Sequence, residues 1–142
     1  MTYRQIKINI LIQAITAILA VMLFVLPAKA DWTKAEIGKE VAWGILHVLD
    51  WGTTLDIADN GDDYCEVGLA KVFIGSHPTR GEVNIYMGAA AILHPIAAHL
   101  LPNRATLFGC EWNPRAWFQN ITIIGSGACV ANNFGMGLRL AF

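Results

Sequence analysis

Residues 64–86, YCEVGLAKVFIGSHPTRGEVNIY, decide how this chain is read. In the middle of the stretch, Pro78-Thr79-x-x-Glu82 has the form of a capping box. The Thr79 hydroxyl takes the Glu82 amide while the Glu82 carboxylate reaches back to Thr79, which starts a helix there. That helix runs from 80 to about 101, is barely charged, and is long enough to cross a bilayer. Pro95 should kink it. Before the box, the apolar piece at 67–74 is too short to span and reads as a helical turn or a strand. The stretch therefore joins two long helices and gathers Glu66, His77, Arg80, Glu82 and Asn84 at one point.

Upstream, Trp32-Thr33-x-x-Glu36-Ile37 repeats the capping logic, with Trp32 and Ile37 placed as a hydrophobic staple. A helix follows over 34–58 and stops at Asp59-Asn60-Gly61-Asp62. Along it Glu36, Glu40, His47, Asp50 and Thr54 recur near every 3.5 residues, opposite an apolar face of Val41, Ile45, Leu46, Val48, Leu49 and Leu55. Such a stripe faces partners or a wet cavity in a bundle, or water when the helix lies in a membrane interface. Downstream, Asn113-Pro114 reads as an N-cap with proline at the first helical position, opening a helix over 115–138.

The 142 residues hold one domain's worth of core. They are 55 % hydrophobic and only 15 % charged, with a mean hydropathy of +0.45. Average soluble domains carry about 25 % charge, so this composition points towards lipid. Lys and Arg are scattered singly, which excludes a nucleic-acid surface. Arg4 and Lys7, an uncharged run over 8–26 and Ala28-Lys29-Ala30 form a signal pattern, so 1–30 is a signal peptide or an uncleaved anchor and 31–142 a single domain. Cleavage would leave 7 basic against 11 acidic residues. Cys65, Cys110 and Cys129 have no zinc-ligand spacing, and a spanning helix between Cys65 and Cys110 would forbid their disulfide.

The motifs LDWGTTLDIA (49–58), Glu66 with GSHPTRGEVNIY (75–86), and Asn132-Asn133 before a glycine-rich end together resemble a group of small uncharacterised membrane proteins of bacterial and phage genomes. In that group a signal-like start leads to a DWG-T helix, a loop entering a helix, and a last helix with a His-Asn or Asn-Asn pair. This chain departs from the pattern at Val67-Gly68, where the group has Asn-Pro, and at Thr53, where it has Gln. The resemblance implies a membrane protein and carries no activity.

The residues that could carry chemistry are few. His47 and Asp50 share a helix face, and with Glu66 and His77 they form the candidate set for a metal-dependent or acid–base enzyme. The structural alternative is a polar seam of Asp50, Thr54, Asn84 and Asn132 between helices, with a loop latch of Glu66, His77 and Arg80. His94 and His99, five apart, suit the membrane interface or backbone bonds better than one metal. Ser76 has no glycine elbow and Cys129 no base at a set distance. Small residues mark packing seams: Gly88 and Ala91 on one helix, Gly127, Ala131 and Gly135 on the last. Trp32, Trp112 and Trp117 suit an interfacial belt.

The expectation is a mainly α protein: a small membrane bundle of three helices after the signal segment, in a bacterial inner membrane. It binds no cofactor, metal or nucleic acid, and acts by helix association with itself or an envelope partner among membrane lipids. The competing architecture is a small outer-membrane barrel, since 112 residues after Ala30 accommodate eight strands of about 10 residues and Leu138-Arg139-Leu140-Ala141-Phe142 alternates. A periplasmic location is the remaining alternative.

Overall fold

A computed structural model describes residues 32–142; the signal-like segment lies outside them. The described chain is mainly helical: α1 (Lys34–Asp59), α2 (Gly68–Ile74), α3 (Arg80–Leu100) and α4 (Pro114–Gly135), with a hairpin of β1 (Ala105–Leu107) and β2 (Cys110–Trp112) between α3 and α4. The barrel expectation fails, because local capping commits these segments to helix. Both capping boxes form as read: Thr33 accepts from the Glu36 amide and Thr79 from that of Glu82, with each glutamate returning to its cap. Asn113 accepts from the Ala116 amide ahead of Pro114. The 67–74 piece is a helix rather than a strand, and α3 continues through Pro95.

The last helix stops at Gly135, earlier than the expected 138, because Gly137 (φ +88°) adopts a left-handed turn. There the Gly137 amide donates to Phe134 O and the Leu138 amide to Asn133 O, the hydrogen-bond pattern of a glycine C-cap. The chain then folds back along α1. Ala141 N–H donates to Gly52 O at 3.1 Å, Arg139 N–H to the Asp56 carboxylate at 2.9 Å, and Leu138 is buried. A Cβ at Gly52 would stand 2.8 Å from Leu140 and 2.9 Å from Phe142, so glycine is what lets this tail lie against the helix. The alternation over 138–142 thus serves a docked tail, not a barrel strand.

The hairpin turns at Phe108 and Gly109, both at positive φ, a two-residue turn that matches strand twist. Three residues per strand is below the length at which alternation can be recognised.

α1 and α4 run parallel, α3 antiparallel to both, and α1 packs against each of the others. At one end Trp32 meets His99, and Arg115 meets Leu101 and Glu36. At the other, Arg80 pairs with Asp59 and the tail docks on α1. The apolar core is small: Leu55, Val83 and Met87, with Trp51, Ile74, Tyr86 and Ala141 against it.

Candidate functional site: a polar interior

Half of the residues that α1 buries are polar: Glu36, His47, Thr53 and Thr54. Its stripe from Glu36 to Thr54 faces α3 and α4, while Val41 and Ile45 on the opposite face are each 59 % exposed. The sequence offered a stripe turned into a bundle or one facing water at a membrane interface, and the structure turns it inward.

Near the α1 N-terminus, Gln119 of α4 is fully buried and its amide nitrogen donates to Glu36 O at 3.1 Å and to Glu40 Oε1 at 2.9 Å. The other oxygen of Glu40 lies 3.1 Å from His94 Nδ1 on α3, and His94 Nε2 lies 2.8 Å from the Thr122 hydroxyl on α4. One imidazole, 7 % exposed, thus joins all three long helices. It is clamped between aromatic rings, with Trp43 stacked at 3.6 Å and Phe118 at 4.7 Å between centroids. Below it Arg115, 1 % exposed, donates from Nε and Nη2 to Leu101 O, sits under the Trp32 ring and faces Glu36 with Nη1 at 3.6 Å. Trp32 therefore turns to Arg115 and His99, and Ile37 stays exposed.

Further along α1, His47 stacks on Trp43 and donates from Nε2 to Met87 O at 2.9 Å, which fixes its tautomer. Next comes Asp50, whose Oδ1 accepts from the Asn133 amide at 3.1 Å; the same amide donates to Thr53 Oγ1 at 2.8 Å. Glu66, from the connection after α1, is buried against this group. Its backbone is held by Ser76 O and its Oε1 accepts from the Val67 amide. Burial first, and the Asp50 charge second, push the Glu66 carboxyl up to about 6.

No protein-family model, curated protein or solved structure matches this chain. The site is therefore read from its own geometry.

That geometry redistributes the expected residues. The seam of Asp50, Thr54, Asn84 and Asn132 is met in part: Asp50 bonds Asn133, Thr53 takes the hydroxyl role expected of Thr54, and Asn84 accepts from the Trp51 indole at 2.8 Å near the surface. Asn132 points outward, with only the Met136 sulfur nearby. The latch is replaced as well. Arg80 pairs with Asp59 and donates to Ala141 O, because the tail brings an acceptor to it, and Glu66 turns inward instead.

The enzymatic set is dispersed: His47 is committed to Met87 O, His77 is exposed in the connection, and Asp50 and Glu66 lie within electrostatic reach of each other. Among the described residues no three His, Cys, Asp or Glu side chains are placed to hold one metal ion. His94, like Arg115 and Gln119, is a residue whose role was missed. Its partner Glu40 is 54 positions away, and the only signal was that an inward carboxylate on α1 needed one. Cys65 and Cys110 are free and lie at opposite ends of α3.

Proposed function

We propose that this chain is a small integral membrane protein, embedded as a three-helix bundle and acting through helix–helix association rather than catalysis. One observation carries the reading: many polar side chains are buried between the helices while large apolar ones cover much of the outside. Glu36, His47, His94, Arg115, Gln119 and Asn133 are buried, whereas Ile85 and Ile124 are each 70 % exposed and Val41, Ile45, Ile92 and Trp117 are exposed beside them. Water would penalise that arrangement on both counts, and lipid favours it. α3 is by length and composition long and apolar enough to cross a membrane. α1 and α4, with 26 and 22 residues, extend about 39 and 33 Å, enough for the hydrocarbon core. Trp32, Trp112, Trp117 and Phe108 gather at one end, where a headgroup layer suits amphipathic rings. Helices with no closed sheet among the described residues favour a bacterial inner membrane.

The association surface we assign is the outward face of α4. Gly127 and Gly88 are used inside, against Leu46 and Trp51. Ala131 and Gly135 are exposed, nothing stands within 4 Å of a Cβ built on Gly125 or Gly135, and the Asn132 amide lies on the outer surface with them. Small residues with a polar side chain are what a second transmembrane helix packs against. Cross-linking in lipid vesicles should trap a dimer of the wild type, and Ala131→Leu should cut its yield at least about tenfold. Unchanged cross-linking would remove self-association, and a wild type that stays with the aqueous phase on detergent phase separation would remove the membrane reading itself.

A further inference from the structure

We propose that Asp50 and Glu66 together form a proton-binding site, holding one proton where the connection after α1 closes the polar interior. Glu66 is 8 % exposed, and its Oε2 is buried with no hydrogen-bond donor. A carboxylate oxygen in that position costs free energy unless something positive reaches it. The groups that face Glu66 are Asp50 from α1, Tyr86 from α3 and Cys129 from α4, all within electrostatic reach of one another, and none is cationic. Lys71 of α2 is solvent-exposed, and among the described residues the ion pairs go elsewhere: Arg80 to Asp59, Arg115 to Glu36, His94 to Glu40. Asp50 has the Asn133 amide on one oxygen. Two carboxylates therefore lie within electrostatic reach of each other, with the Asn133 amide on Asp50 and the Val67 amide on Glu66 Oε1 as neutral donors and no counter-charge among the described residues.

The smallest ligand that resolves this is a proton taken from water. It neutralises one carboxylate and turns a lone acceptor into an O–H donor. The Asp50 charge favours its residence on Glu66, whose carboxyl is pushed up to about 6. Because the folded value lies above the ordinary 4.5, the proton is bound more tightly by the folded chain. The stability that Glu66 contributes is then greatest below about 4.5 and is lost as pH rises through about 6, by up to about 30-fold in the unfolding constant.

The test is pH-difference infrared spectroscopy of the full-length protein in detergent micelles. We expect a protonated-carboxyl band that disappears with a midpoint near pH 6, is abolished by Glu66→Gln, and moves to lower pH in Asp50→Asn. Carboxyl-labelled glutamate in the unmutated protein, followed by NMR, gives the same midpoint should the glutamine variant not fold. A band unaffected by Glu66→Gln, a Glu66 midpoint at the ordinary glutamate value, or a midpoint displaced by sodium against potassium at fixed ionic strength would overturn the assignment. The last would make the ligand a metal cation. The site stands on side chains inside the bundle, so failure of the membrane reading in phase separation leaves this titration unchanged.

Discussion

Replacing His94 with alanine should destabilise the bundle by about 3–5 kcal/mol, one of the two largest effects expected of a single substitution in the described fold. The imidazole is the partner of Glu40 on α1 and of Thr122 on α4, so its removal leaves the carboxylate oxygen unpaired in the interior. It also opens a space between Trp43 and Phe118, which stack on its two faces. The cost comes from stranding one partner rather than from any intrinsic strength of the pair. Glu40→Leu combined with His94→Leu should therefore recover part of the loss, the Gln119 amide keeping only its bond to Glu36 O. Unfolding in mixed micelles of increasing denaturing detergent measures both. A loss below about 1 kcal/mol for the single variant would mean that the three helices do not depend on this junction.

Arg115→Met is the second. The change keeps an unbranched apolar stem but removes a guanidinium that is 1 % exposed. Leu101 O, at the end of α3, loses both of its side-chain donors, at 3.0 and 2.8 Å, and Glu36 loses its only cation among the described residues. Trp32 loses the cation beneath its ring, 5.4 Å from the centroid. A loss of about 3–5 kcal/mol is expected, with the end of the bundle near Trp32 opening first. Arg115→Lys should recover only part, since an ammonium has no planar fork with which to make both bonds to Leu101 O. Hydrogen exchange localised to 97–101 and 113–117 would show the opening. Uniform protection in Arg115→Met would place the anchor elsewhere.

How much of this was legible in the sequence follows the range of the interaction concerned. Thr33 with Glu36 and Thr79 with Glu82 act within three residues, so both helix starts could be read directly, as could Asn113-Pro114. The polar stripe of α1 was also visible, because a helix repeats locally. Which partner each of its residues would meet was not, since that depends on what α3 and α4 present. Hence Asn133 rather than Asn132 reaches Asp50: a choice between adjacent residues is a matter of about 100° of helix phase, set by packing. Arg115 and Gln119 passed as ordinary residues near a helix start, although a lone Arg and Gln within an apolar helix are themselves a signal of internal partners. The docked tail was out of reach for the same reason: what draws Arg80 from Glu66 to Ala141 O is 61 positions away.

The most direct test of the account is where its two loop thiols lie. Cys65 and Cys110 are both exposed and are separated by α3, whose 21 residues extend about 31 Å. Variants retaining one of them, with the others changed to serine, would be labelled in intact cells by a charged, membrane-impermeant maleimide, and again after permeabilisation. The account predicts that one of the two labels in intact cells and both label once the membrane is opened. Equal labelling of both in intact cells would put the two ends of α3 on the same side and contradict a transmembrane bundle.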